Sequence, residues 1–280
     1  MVDDARDRTG LAVTWAGHST VLIELDGTRL LTDPVLHRRV GPLRRVADGV
    51  EHELFEHVDA VLLSHLHADH SHLRSLRTVG AGTRMLAPRG SGRWLARHGF
   101  PEVQELEAGE EATVGAVRVQ AIEASHNSHR WHLGERRLWP IGVSAEPLGY
   151  VMQGSESCYF AGDTDLFEGL AGLAGSIDLA LLPVSGWGAK VGSGHLDPER
   201  AAAAAALIGP RMVVPIHWGT LALAVPGRRP RDSERHAREF AALVGGRAPG
   251  VTVRMLRPGE RTSLEREHGA PTTPPAGGDD

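Results

Sequence analysis

One cysteine, Cys158, is all that this 280-residue chain contains, so no disulfide can form within it. It lies in an apolar, strand-like run, which reads as a buried and inert thiol. Lysine is equally scarce: of 30 Lys and Arg residues only Lys190 is a lysine. The formal charge is −5, which offers none of the basic face that nucleic acid demands. No apolar run reaches the roughly 18 residues of a membrane span. Residues 1–8 are mostly charged and lack the apolar segment of an export signal. A G-x-S-x-G nucleophile elbow is also missing. The expectation is a cytoplasmic protein with neither a membrane span nor a nucleic-acid partner, its oligomeric state open and a homo-oligomer possible.

What is present is a core and a regular order of elements. Apolar residues make up 41 % of the chain, enough for one large domain. Residues 11–15, 20–25 and 28–32 read as short strands, with Asp26-Gly27 as a hairpin turn between the last two. Further strands are expected at 59–63, 84–87, 117–122, 149–152, 157–161, 178–182 and 211–215. A helix is expected at 90–98. Another fits 198–208, with Asp197 as its N-cap, Pro198 in the first turn and Gly209-Pro210 as its stop. A third fits 233–244, with Ala237, Phe240, Ala241 and Val244 on one face. From 265 to 280 the composition is that of a disordered tail. The reading is a short extension (1–10) and one domain (11–264), in which two facing sheets carry helices outside.

The densest chemistry lies in His65-Leu66-His67-Ala68-Asp69-His70, directly after an apolar strand. Two imidazoles at i and i+2 leave an extended backbone on the same side and can hold one ion. Asp69 and His70, further round the turn, are free to reach a second. Imidazole and carboxylate suit zinc, iron, manganese or cobalt at a hydrolytic centre. Three more strands end on a potential ligand: His126, Asp163 after Gly162, and His217. Singly, each of these reads more readily as a turn residue; together with the His65–His70 loop they predict a two-metal site.

The order HLHADH, a His, Gly162-Asp163-Thr164 and a late His resembles the metallo-β-lactamase superfamily. Further motifs narrow the likeness: Gly17-His18-Ser19-Thr20, Leu31-Thr32-Asp33-Pro34, His195-Leu196-Asp197-Pro198-Glu199 and Ile216-His217-Trp218-Gly219-Thr220. They resemble the branch holding N-acyl-phosphatidylethanolamine phospholipase D and, more distantly, ascorbate-6-phosphate lactonase. The resemblance runs from about residue 12 to 262 and implies a four-layer αββα sandwich, of α/β (α+β) class, with the site at one edge. It implies that His65, His67 and His126 hold a first ion. Asp69, His70 and His217 would hold a second, with Asp163 bridging. Asp33 would accept a hydrogen bond from a ligand imidazole. The chain departs from the phospholipase pattern in its short N-terminal stretch, in Asp165, and in the glycine-rich run 183–194.

The chemistry expected is hydrolysis by a hydroxide bridging two divalent ions, Zn2+ in first place and Mn2+ or Fe2+ as alternatives. Asp69 and His195 are the candidate catalytic residues. His195 precedes the Asp197 helix, whose N-terminus should favour neutral imidazole. His18 and Arg130 are candidate substrate contacts, with His129 and Trp131 beside Arg130; a buried hydrogen bond is an equal reading for His18. His72 reads as a helix start. The substrate expected is a small or lipid-derived phosphodiester, with a lactone or cyclic phosphate as the alternative. An iron redox protein on the same scaffold stands further back, because His67 is an imidazole and no flavin module follows. Specificity should lie in loops 41–50 and 130–148.

Overall fold

Alternating side chains on the first strands separate an inner face from an outer one. On β1 (Leu11–Gly17), Leu11, Val13 and Trp15 enter the central core, while Ala16 joins a separate cluster. On β2 (Thr20–Leu25), Val21, Ile23 and Leu25 join that core and Leu22 the other cluster. These strands and β3 (Thr28–Thr32) form an antiparallel meander. Its Asp26-Gly27 hairpin forms as expected, with φ of 47° and 77°.

Six elements follow in order: β4 (Arg39–Val40), β5 (Leu43–Arg45), a 3-10 turn (His52–Phe55), β6 (Ala60–Leu62), α1 (Leu73–Val79) and β7 (Met85–Pro88). Next are α2 (Gly92–Arg97), β8 (Val103–Leu106), β9 (Glu111–Val114), β10 (Val117–Glu123), β11 (Leu148–Gln153) and β12 (Ser157–Phe160). A second 3-10 turn (Glu168–Leu173) leads to β13 (Leu179–Pro183), α3 (Pro198–Ile208), β14 (Met212–Ile216) and β15 (Leu221–Leu223). The last elements are α4 (Arg235–Arg247), β16 (Thr252–Val253) and β17 (Arg261–Ser263). This computed structural model describes residues 10–127, 143–185, 191–223 and 234–264. Arg130, His129, Trp131, Lys190 and the tail expected from 265 lie outside the described residues.

One seven-stranded sheet runs β17-β1-β2-β3-β6-β7-β8 and the other β16-β14-β13-β12-β11-β10-β9. The central core is shared between them, joining Trp15 and Leu62 of the first to Tyr150 and Phe160 of the second. It continues to Ala201 and Ala205 of α3 and Phe240 of α4. On the far face of the first sheet, Val61 and Met85 pack with Leu76 of α1 and with Trp94 and Leu95 of α2. Helices therefore cover both outer faces: the expected αββα sandwich. No helix among the described residues is long and apolar enough to cross a membrane.

Helix α3 has the expected bounds. The Asp197 carboxylate accepts from the Arg200 amide, Pro198 occupies the first turn, and Gly209 closes the helix at φ 64°. Four buried alanines, Ala201, Ala202, Ala204 and Ala205, bring it close to the second sheet. Helix α4 runs three residues further than expected, and Ala237, Phe240 and Val244 are its buried stripe; Ala241 is only half-buried. Loop 41–50 contains β5, which belongs to a three-stranded sheet ordered β15-β5-β4. Strands this short show no periodicity, and β15 is far away in sequence.

Candidate metal centre

Every expected ligand leaves the C-terminal end of a strand, and both sheets present those ends at one edge. From the first sheet come His18 after β1, Asp33 after β3 and the His65–His70 loop after β6. From the second come His126 after β10, Asp163 after β12 and His217 after β14. His18, Asp33 and His217 have φ of 54°, 33° and 63°, a left-handed region that non-glycine residues seldom occupy. They are three of the five such non-glycine residues among those described, so strain is concentrated at this edge.

Leu66 anchors the His-rich loop by burying itself in the outer cluster, and the amides of His70 and Ser71 fold back onto the His67 carbonyl. This turn sends His65 and His67 one way and Asp69 and His70 the other. His65 Nε2 lies 3.0 Å and His126 Nε2 3.2 Å from His67 Nδ1. Outer hydrogen bonds assign the ring protons. The Nδ1 of His126 donates to the Gly194 carbonyl at 2.7 Å, which leaves its Nε2 a lone pair. The Ser64 hydroxyl donates to Asp33 Oδ2 and accepts from His65 Nδ1, so His65 Nε2 is also a lone pair. His67 Nδ1 can satisfy one of these nitrogens with a proton, but only a cation satisfies all three.

The second group is built the same way. His70 Nδ1 donates to Asp33 Oδ2 at 2.7 Å, and His217 Nδ1 to the Ser185 carbonyl at 2.7 Å. Their Nε2 atoms turn inward. His70 Nε2 lies 3.3 Å from Asp69 Oδ2 and 3.2 Å from Asp163 Oδ2, and His217 Nε2 lies 3.3 Å from Asp163 Oδ1. Asp163 thus touches ligands on both sides, since His195 Nε2 approaches the same Oδ2 at 3.4 Å and His126 clusters with the pair. His70 Nε2 and Asp163 Oδ1 are fully buried yet find no hydrogen-bond partner among the described residues. Two buried atoms of this kind, in a nitrogen and oxygen donor set, fit a divalent transition ion.

Charge gives the same answer. Asp33, Asp69 and Asp163 are all buried, and no arginine among the described residues forms an ion pair with any of them. Burial lowers His65 well below its ordinary value and His67 to about 4, and lowers His126 as well, so this triad is unprotonated at neutral pH. Burial also acts to lower His70, but Asp163, Asp69 and Asp33 together hold it well above its ordinary value. Those carboxylates draw a positive charge to that point. Burial and the neighbouring His217 push His18 down to about 3.

Asp33 accepts from the Ser64 amide at 2.8 Å, from the Ser64 hydroxyl and from the imidazole of His70. His72 stands at the start of α1 as expected, in the N-cap position but without a capping bond from its side chain. His195 reaches Asp163 and is half-buried, but its value runs opposite to the expected helix effect. Burial lowers it, and the facing Asp163 outweighs that and raises it overall. His18 lies deeper than a substrate contact requires. It is 2 % exposed, and its Nε2 is 3.0 Å from Asp69 Oδ2. Four contributors carried no signal as site residues: Ser64, Ser185, Gly194 and Thr220. Ser185 and Gly194 act through backbone carbonyls, which residue type does not reveal; Thr220 acts through its hydroxyl, and Ser64 was readable only as the neighbour of His65.

The sequence profile of the beta-lactamase superfamily domain matches residues 28–218. An uncharacterized protein of Mycobacterium tuberculosis is 33 % identical, over 91 % of this chain and 69 % of its own length. An N-acyl-phosphatidylethanolamine-hydrolyzing phospholipase D of Caenorhabditis elegans is 28 % identical, over 78 % of this chain and 66 % of its own. Among solved structures, the metallo hydrolase Igni18 of Ignicoccus hospitalis superposes with a TM-score of 0.67 at 23 % identity, covering 92 % of this chain and 99 % of its own. The match spans the loops that carry His65 to His217, and the chain belongs to the metallo-β-lactamase superfamily as a metal-dependent hydrolase.

Proposed function

We propose that the chain is a binuclear hydrolase acting on a small or lipid-derived phosphodiester. The observation that carries this is the convergence of six donors, in two sets of three, around the buried carboxylate of Asp163. His65, His67 and His126 would hold one ion, and Asp69, His70 and His217 the other, with Asp163 between them. Two divalent ions held there would supply a water-derived nucleophile near neutral pH and a Lewis acid for the substrate oxygen.

The remaining steps fall to this chain's own groups. Asp33 fixes the His70 tautomer through Nδ1, and Gly194 and Ser185 do the same for His126 and His217. His195 is the candidate for proton delivery to the leaving oxygen, or for gripping a phosphate oxygen. Its side chain is 22 % exposed, against 2 % for Asp163 and 0 % for His70, so it stands at the solvent side of the cluster. The phosphodiester reading draws support from the phospholipase relative and the shared motifs; a lactone or cyclic phosphate is the second choice on the same donor set. Zinc is the expected ion, with manganese or iron as alternatives. The redox alternative stands behind both, because the first group is three imidazoles.

The test pairs metal analysis with turnover on a panel of phosphodiesters, lactones and β-lactams. Wild type should carry close to two transition ions per chain and cleave a phosphodiester. Asp163→Ala should lose at least one ion and nearly all turnover. Two retained ions with normal turnover in that variant would overturn the bridging assignment.

A further inference from the structure

His18 is the one buried imidazole of the cluster to which the proposed ligand sets assign no ion. We infer that it is a positioning residue for the second ion, tying together two ligands that come from different sheets. This rests on the binuclear reading above.

Two separate bonds make the tie. Through its ring, Nε2–H donates to Asp69 Oδ2 at 3.0 Å, because a carboxylate ligand can only accept. Through its backbone, the His18 carbonyl accepts from the His217 amide at 2.9 Å. Asp69 follows β6 of the first sheet and His217 follows β14 of the second. One residue therefore bonds to both of these candidate ligands and helps to set their separation.

The seat around His18 is specific. Its amide donates to Thr220 Oγ1 at 2.7 Å, and that hydroxyl donates to the Trp218 carbonyl at 3.0 Å. Trp15 Nε1 donates to the His18 carbonyl at 2.9 Å, and the Trp15 ring stacks on Trp218 at 4.8 Å. The turn carrying His217 is thus folded onto the turn carrying His18. A Cβ at Gly17 would lie 2.8 Å from Thr220, so the approach admits no side chain there. At φ 54° glycine would be less strained than histidine, so the imidazole stands against a local backbone preference. Its ring centroid is 4.1 Å from that of His217. Ring and backbone both face the second ion's ligands.

The experiment uses chelator-stripped full-length wild type, His18→Gly and His18→Gln, titrated with Co2+ and followed by calorimetry and visible absorption. Glycine keeps the backbone conformation and removes only the ring; glutamine places an amide N–H near the position of Nε2. Expected in His18→Gly is an unchanged first ion and a second ion bound about 10–100-fold more weakly. His18→Gln should recover most of that loss and the wild-type cobalt spectrum. Wild-type affinity for both ions in His18→Gly overturns the inference. So does a glutamine variant as weak as glycine that lacks the wild-type second-ion band, since that marks His18 as a ligand. Should the stripped glycine variant show no cooperative melting, His18→Leu, which fills the seat but offers no N–H, takes its place in the same comparison. A wild type that binds a single ion instead overturns the binuclear reading, a result distinct from the others.

Discussion

His195 is the site residue whose assignment depends most on its immediate surroundings. Its Nε2 shares Asp163 Oδ2 with His70, and its Nδ1 lies 3.3 Å from the Ser193 carbonyl. An ion held by Asp163 competes for the oxygen that raises the imidazole, so metal loading and His195 protonation oppose each other. His195→Ala should lower kcat by about 100-fold, within the range for a general acid or phosphate-gripping group, with both ions retained. Metal analysis beside steady-state kinetics checks this; loss of an ion would make His195 a ligand. Legibility at this scale followed chemical type and locality. His65, His67, Asp69 and His70 were readable because six consecutive residues carry them, and His126, Asp163 and His217 because each ends an apolar strand. The seat of His18 was not, since it depends on Thr220, 202 positions away.

Among the elements, the join between the Gly194 loop and α3 has the clearest consequence. Asp165 Oδ2 accepts from the Gly194 amide at 3.0 Å, and Oδ1 takes the Arg200 guanidinium at 2.6 Å. Gly194 in turn orients His126, so α3 steadies a proposed first-ion ligand through one carboxylate. Burial acts to raise Asp165, but the Gly194 and Leu166 amides and Arg200 hold it below its ordinary value. A depressed carboxylate stabilises the fold fully above about pH 4 and loses that contribution as pH falls through its folded value. Asp165→Asn should therefore be less stable than wild type at pH 7, by about 1 kcal/mol. The gap should close near pH 2 in denaturant titrations; an equal gap at both pH values would refute the linkage. Asp165 was visible in the sequence only as a departure from the family pattern. Helix α3 could be read to the residue because Asp197, Pro198 and Gly209 mark both ends. Strands β4, β5 and β15 could not, because their pairing is entirely tertiary.

For the whole molecule, the decisive fact is that the proposed ion ligands come from two different sheets that share one apolar core. Ions bound there are cross-links present only in the native state, and ligands of the native state alone stabilise it by mass action. With free metal about a thousand-fold above its dissociation constant, the gain is about 4 kcal/mol. Chelation should then lower the melting temperature by on the order of 10 °C, since a domain of this size shifts about 2–4 °C per kcal/mol. Scanning calorimetry of loaded and stripped protein checks the shift, and coincident curves would deny the cross-link.

The same arrangement gives maturation a direction. During synthesis the four donors of residues 65–70 leave the ribosome well before His126, Asp163 and His217 exist. A cation caught at that early stage meets an incomplete cage and can still exchange with the cellular pool. On the proposed assignment the second set closes only when β14, which leads into His217, is laid against β13, so that ion finds its full cage after the first set is already in place.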